Sequence, residues 1–331
     1  MPLRVAVIGI GVWGQRHAAT LVRLGDQTGL VRLVALADPD EARLSAQAAA
    51  LRVPGYRDWR EVLTLEALDA VCVCTPDPLH VEVALACLER GLHLLIEKPL
   101  ATTTADAARI ARAARESGRV VTVGHILRVV PQYRAVWEAV RDGKAGELIH
   151  LYARRNSLVT SGERIGGRTS LALFQAIHDL DILRWIAGPV TQVHAVATSR
   201  LLRHLGVADS LFAVLRFANG AIGCVECSWA LPRESPTGLE QELEVVGTAG
   251  RLRLRMPGEG VEITADGGYR TPHLSLLGAT PEALRAELLA FVCAVTGDQP
   301  VLITVDEAVE AVRLAEAVDR SIAAGQPVDV T

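Results

Sequence analysis

The hexapeptide Gly9-Ile10-Gly11-Val12-Trp13-Gly14 limits what this chain can become more than any other segment. A Gly-x-Gly-x-x-Gly run is a weak signal by itself. Here an apolar run, Leu3–Ile8, leads straight into it and a helical pattern near 12–24 follows. The next strand-like run, Val31–Ala37, ends on Asp38. Strand, glycine turn, helix, second strand and acid together form the full context of a dinucleotide-binding βαβ unit. In such a unit Gly9 permits the tight turn, Gly11 lets backbone approach a pyrophosphate, and Gly14 lets helix pack closely on strand. The helix N-terminus then holds the phosphates, with Val12 and Trp13 in its first turn. Asp38 is placed to accept hydrogen bonds from the adenosine ribose hydroxyls. A carboxylate there repels a 2′-phosphate, which favours NAD over NADP. Arg43 would soften that repulsion, but its place in the next helical pattern suggests the helix surface.

The alternation continues to about residue 125. Further strand-like runs are Ala70–Cys74, His93–Ile96 and Val120–Val123, with helical patterns near 40–51, 78–90 and 103–117. Thr102 to Thr104 offer caps for the last of these and Gly118 ends it. Unbroken apolar strands separated by helices predict a doubly wound parallel sheet covered on both faces, an α/β Rossmann domain. After His125 the pattern changes. A helix-like stretch, Gln132–Arg141, leads to a strand at Leu148–Arg154. Residues 157–169, rich in Gly, Ser, Thr and Arg, read as a loop and a candidate lid. Ser170 caps a helix running to about Ala187, stopped by Gly188-Pro189. Strand patterns follow near 190–199, 209–217, 221–229, 240–247, 251–256 and 261–265, with Asn219-Gly220 as a hairpin signal. Two helices close the chain, near 280–296 and 306–323. The expected organisation is a nucleotide-binding domain at 1–125 and an α+β domain with a mostly antiparallel sheet at 126–331. The last helix is expected to pack back on the first domain.

Bulk properties exclude several classes. A length of 331 residues suits two domains, and 50% hydrophobic with 22% charged residues is the wrong balance for disorder. A net charge of -4 without a basic stripe argues against a nucleic-acid partner. Leu3–Ile8 has no basic flank or cleavage site, so it reads as a strand and not a signal peptide. No apolar run is long enough to span a bilayer. Cys224 and Cys227 sit in a strand-like run, where odd spacing puts them on opposite faces, poor for chelation or a disulfide. Cys72 and Cys74 lie inside an apolar strand. The cysteines therefore read as structural thiols of a reducing cytoplasm, and no metal site is expected.

Of 34 basic residues only Lys98 and Lys144 are lysines. Arginine keeps its proton in proteins whereas lysine can lose it, so a lysine retained amid arginines draws notice. Lys98 stands in Glu97-Lys98-Pro99 at the end of a parallel strand, where open α/β sheets bind ligands. It reads either as a group reaching a substrate hydroxyl or as a salt-bridge partner of Glu97. Thr75-Pro76 ends the neighbouring strand in the same manner. In His178-Asp179-Leu180-Asp181, helical spacing puts His178, Asp181 and Trp185 on one face. Such a histidine can take a proton as hydride leaves carbon, although a lone histidine on an apolar helix is more often a core residue.

Taken in order, the glycine turn with Trp13, Thr75-Pro76 with His80, Glu97-Lys98-Pro99 and the His-Asp-x-Asp helix resemble the Gfo/Idh/MocA oxidoreductases. That family includes glucose–fructose oxidoreductase, inositol 2-dehydrogenase and sugar-nucleotide 3-dehydrogenases. The resemblance covers essentially the whole chain. It implies a Rossmann domain with NAD, and a second domain whose large open sheet serves oligomerisation, as a homodimer or homotetramer. It also implies a sugar, polyol or sugar-nucleotide substrate oxidised at a hydroxyl carbon. It carries catalytic roles onto Lys98 and His178, and cofactor contacts onto Thr75, Pro76, His80, Glu97 and Lys98 beside the glycine turn. Candidate substrate contacts are His125, Arg154, Asn156, Arg168 and Asp181. Arg154 and Arg155 alternate faces, so at most one of them is expected at the site. The segment Gly124–Pro131 is similar to a stretch in sugar-nucleotide 3-dehydrogenases. In one departure, inositol-dehydrogenase-like members carry an Asp one turn before the histidine, and Phe174 stands there. Two rivals are an NAD-dependent glycosidase-like enzyme that oxidises its sugar transiently, and a non-enzymatic NAD-binding regulator.

Overall fold

Leu3–Ile8 (β1) and Val31–Ala37 (β2) are buried on both faces, which suits strands in the interior of a parallel sheet. The structure, a computed structural model, describes residues 1–256, 260–265, 268–270 and 279–330. Contacts divide the chain into two compact units, Met1–Val129 with Thr280–Val309, and Val130–Ala279 with Glu310–Thr331.

In the first unit α1 (Val12–Thr28) links β1 to β2. The chain continues through α2 (Glu41–Leu51), β3 (Gly55–Tyr56), α3 (Trp59–Val62), β4 (Ala70–Val73), α4 (His80–Glu89), β5 (His93–Ile96), α5 (Thr104–Ser117) and β6 (Val121–Val123). The sheet order is β3-β2-β1-β4-β5-β6 with every pair parallel. This is the order of two βαβαβ halves, whose ligand crevice opens at the carboxyl ends of β1 and β4. Capping follows local rules. The Asp40 side chain accepts from Arg43 N at α2, Thr103 accepts from Asp106 N at α5, and Gly118, at φ 64°, closes α5.

The second unit begins with α6 (Pro131–Arg141), β7 (Leu148–Leu158) and α7 (Val159–Ile165). A π-helical segment, Ala172–Ala176, runs into α8 (Ile177–Ala187). Strands β8 (Val190–Thr198), β9 (Ser210–Phe217), β10 (Ile222–Leu231), β11 (Leu239–Gly247), β12 (Gly250–Met256), β13 (Gly260–Ala265) and β14 (Gly268–Arg270) follow. Then come α9 (Ala279–Thr296), α10 (Val305–Ala324) and β15 (Val328–Asp329). Among the described residues the sheet has nine strands, ordered β14-β13-β12-β11-β7-β10-β9-β8-β15, and only β7 with β10 is parallel. Gly220 at φ 89° makes the expected hairpin turn between β9 and β10.

Three expectations need correction. The strand expected at 148–154 runs on to Leu158, and the loop expected at 157–169 contains α7. Ser170 does cap the next helix, its Oγ accepting from Leu173 N at 3.0 Å, but that helix begins as a π segment. The first unit takes in α9 from Thr280 onward and, of the last helix, its first turn, Val305–Val309. Leu284, Leu288, Phe291 and Val292 of α9 complete the core around Val5, Leu21, Leu36 and Leu95. Beyond Val309, α10 belongs to the second unit, where Ser321 Oγ accepts from Ala195 N.

Candidate active site

The three glycines of the turn do different jobs. At Gly9, with φ 91°, a side chain would run into the backbone of Cys74 and Thr75. At Gly14 it would collide with the Gly9 carbonyl. Both serve packing. At Gly11 no atom lies within 4 Å of where a Cβ would stand, and Gly11 is the N-cap of α1. The first turn of α1 carries no acidic residue, so nothing opposes an anion there. This open, donor-rich corner fits a pyrophosphate. Val12 is exposed beside it, and the Arg16 guanidinium sits 5.0 Å from the Trp13 ring.

Asp38 ends β2 and is 6% exposed. Its Oδ2 accepts from Ile10 N at 2.6 Å, and its Oδ1 accepts from Asp40 N at 2.9 Å and Arg43 Nη2 at 3.2 Å. Arg43 is thus not simply a helix-surface residue. It bridges Asp38 and Asp40, drawn to two carboxylates at the start of its own helix.

At the ends of β4 and β5 the structure separates residues expected to act together. Thr75 Oγ1 is buried without a hydrogen-bond partner, as a group awaiting a ligand would be. His80 is fully buried, with Nδ1 2.7 Å from Pro99 O and Nε2 3.0 Å from Thr75 O. Its ring ties the two turns together. The Glu97 carboxylate likewise turns inward. Its Oε1 accepts from His17 Nε2 at 2.8 Å and its Oε2 from Lys98 N at 3.2 Å. Both side chains therefore help to shape the turns at the ends of β4 and β5. Burial works to push the Glu97 carboxyl up. The His17 hydrogen bond and the charges of His17, Lys98 and His80 override it and hold the group below the usual carboxylate range. His17 escaped the sequence reading, although its place one turn after the glycines on the buried face of α1 was visible there. Lys98 is half-buried at the cis peptide to Pro99. His125 ends β6, buried, its N–H donating to Val123 O at 2.7 Å.

In the second unit His178 and Phe174 are half-buried one turn apart, while Asp179 and Asp181 are buried. The π segment before His178 is anchored by Gln175, whose amide is fully used. Its Oε1 accepts from Ser157 Oγ and Trp229 Nε1, both at 2.8 Å. Its Nε2 donates to Arg155 O at 3.0 Å and Ser228 O at 2.9 Å. Beside it Arg155 donates to both oxygens of Asp179 (2.7 and 3.1 Å), to Gln241 Oε1 and to Tyr133 Oη. The Phe174 ring lies 6.1 Å from that of Trp229. Residues at odd positions of β7 face α8 and even ones the opposite side, so Arg154 and Asn156 are not brought together with His178. Arg154 pairs with Glu240 and Glu242, and Asn156 donates to Glu226 at 2.7 Å. The residue on the α8 side is Arg155, and Asp179 occupies it. Exposed Arg168 lies at the rim of a cleft with Thr169, Leu205 and Asp319. Among the described residues no group of three or more His, Cys, Asp and Glu side chains could hold a metal ion.

Residues 3–125 match the model of an oxidoreductase family with an NAD-binding Rossmann fold, GFO_IDH_MocA, and residues 133–253 match the GFO/IDH/MocA C-terminal domain. The chain is 32% identical to inositol 2-dehydrogenase 1 of Saccharopolyspora erythraea, over 100% of this chain and 97% of that one. It is similar in structure to a probable dehydrogenase from Thermotoga maritima (TM-score 0.85, 27% identity, 99% of each chain). It is also similar to myo-inositol 2-dehydrogenase from Lactobacillus plantarum (TM-score 0.87, 26% identity, 100% of each chain).

Proposed function

The chain belongs to the GFO/IDH/MocA family of NAD-binding oxidoreductases, and from that premise we propose that it is a dehydrogenase of inositol-like polyols or sugars. One observation carries the reading. The open Gly11 corner, Asp38, Thr75 and Lys98 stand at the carboxyl ends of β1, β2, β4 and β5, which adjoin in a single sheet. NAD, when bound, supplies the carbon that takes the hydride. Lys98 donates a hydrogen bond to the reacting hydroxyl and steadies the negative charge that grows on its oxygen. His178 accepts the hydroxyl proton, and Asp181 orients the histidine from the next turn. Acid–base help of this kind contributes roughly 10²–10⁴ in rate. Asp38 selects NAD over NADP. His125 and Arg168 are further substrate contacts. Phe174, packed toward Trp229, puts an apolar wall where inositol-dehydrogenase-like members carry an Asp, so the preferred polyol differs from theirs in the group facing it.

The relatives' names put inositols ahead of sugar nucleotides in a substrate screen. NADH formation is followed with NAD or NADP against inositols, aldoses, sugar acids and sugar nucleotides, with Lys98→Ala alongside. The expected result is a polyol or sugar that reduces NAD and fails to do so with the variant. A Lys98→Ala protein with most of its activity defeats the assignment. Turnover without NADH points to transient oxidation, and NAD binding without turnover points to a regulator. The outer face of the nine-stranded sheet is the surface for a second copy, in a homodimer or homotetramer. Six free cysteines agree with a cytoplasmic site of action.

A further inference from the structure

A buried acid lies directly behind Lys98. Glu97 is 9% exposed and its carboxylate occupies a slot made by five elements. β6 contributes Gly124, where a Cβ would stand 3.1 Å from Glu97 Oε2, so the glycine leaves room for the acid. α1 contributes His17, fully buried, at 2.8 Å. The other titratable groups facing Glu97 are Lys98 beside it, His80 from α4, Cys72 and Cys74 from the β4 strand and its end, and Glu287 from α9. Burying a His–Glu pair adds little to stability compared with apolar side chains of similar volume, so the fold alone does not require it. What Glu97 does reach is Lys98, through the backbone N–H at 3.2 Å.

We propose that Glu97, held by His17, is a positioning residue for Lys98. Its Oε2 fixes the backbone from which the lysine side chain leaves β5, and its carboxylate sets a permanent negative charge behind the ammonium. Burial first, and the charge of Glu97 second, keep Glu287 protonated well above the usual carboxylate range. The cluster therefore holds one negative charge and not two. The proposal rests on the catalytic reading of Lys98, but its test does not need the substrate.

Only two lysines are present, and Lys144 is exposed in the second unit. Trace labelling with acetic anhydride across a pH series, read by mass spectrometry, follows Lys98 against Lys144 as an internal reference. In Glu97→Gln the midpoint of Lys98 is expected to fall by about 1 pH unit while Lys144 stays put, because an ammonium that loses a nearby negative charge gives up its proton sooner. In His17→Gln it is expected to fall in the same direction, because the Glu97 carboxyl without its His17 partner is left to burial, which favours the neutral form. Lys98 titrating alike in wild type and both variants overturns the proposal. His17→Gln leaves the acid in place and decides the matter should Glu97→Gln fail to fold. An active Lys98→Ala protein defeats the catalytic reading, whereas an unmoved Lys98 midpoint defeats only this one.

Discussion

Asp38 has little bonding capacity to spare. A carboxylate offers about four acceptor positions, and Ile10 N, Asp40 N and Arg43 take three. A ribose hydroxyl must use what remains, with Arg43 alongside. Asp38→Ala is expected to weaken NAD binding by roughly ten- to a hundredfold, the range for a lost hydrogen bond to a charged group. It should also narrow the preference over NADP, because Arg43 is then released from one of its carboxylates. Calorimetric titration with both nucleotides decides this, and unchanged NAD affinity would remove Asp38 from the ribose site. Glu287 supplies a different kind of prediction. Its carboxyl is raised in the folded protein, by burial and then by Glu97. The stability tied to it is therefore fully present below the usual carboxylate range and lost as pH rises toward the raised value, at about 1.4 kcal/mol per pH unit. Glu287→Gln, neutral throughout, should melt like wild type near about pH 5 and at a higher temperature near about pH 8. Parallel melting curves at the two pH values would show that Glu287 is not held neutral.

Among the elements, the π segment has the sharpest dependence on one side chain. Gln175→Leu would leave Trp229 Nε1, Ser157 Oγ and two carbonyl oxygens without their partner in a buried place. The expected loss is about 3 kcal/mol, or roughly 6–12 °C in melting temperature. Thermal unfolding followed by tryptophan circular dichroism would expose a mistaken reading through a melt that barely moves. Nothing in the local sequence announced this segment. Ser170 marked where the helix starts, since a cap is a local signal. The wider turn is held by Gln175 reaching strand ends far away in the chain. The same distinction explains other successes and misses. The apolar strands of the first sheet were legible because burial on both faces writes an unbroken run. The end of β7 was not, because Arg155, Asn156 and Ser157 are polar and owe their strand geometry to β10 and β11. The identity of the helix joining the first core was equally hidden, since α9 and α10 are both apolar enough for it. For the site, the glycine turn and Asp38 were proposed from spacing, and Lys98 from its place at a strand end and from the family resemblance. The inward turn of Glu97 and the His17 behind it required the third dimension.

Over the whole molecule, among the described residues, the nine-stranded sheet has one face covered by helix and one that is not. On the outer face Val196, Phe212, Val214 and Ile222 are each about half exposed or more. The register puts Val196 opposite Phe212, and Phe212 and Val214 alternate along β9, so three of the four form one patch across two strands. A contiguous apolar patch on a sheet face marks a contact surface more than a solvent surface. A second copy using the same face gives a closed two-fold pair in which the patch covers itself. Beside it, Arg154, Arg251, Arg253 and Arg255 are already matched by Glu240, Glu242 and Glu244. That rim needs no outside charge, and the association is expected to be held by the apolar part. The double variant Phe212→Glu/Val214→Glu puts two carboxylates into each copy of the patch, so a pair would have to bury four like charges. Both positions are exposed in the single chain, and surface substitutions of this type change stability by about 0.5 kcal/mol or less. Light scattering on a sizing column should find the wild type at a multiple of the 35.4 kDa chain mass and the double variant at the chain mass, folded and still binding NAD. A wild type that runs as a monomer at micromolar concentration, or a variant of unchanged mass, would assign this face to something other than a second copy.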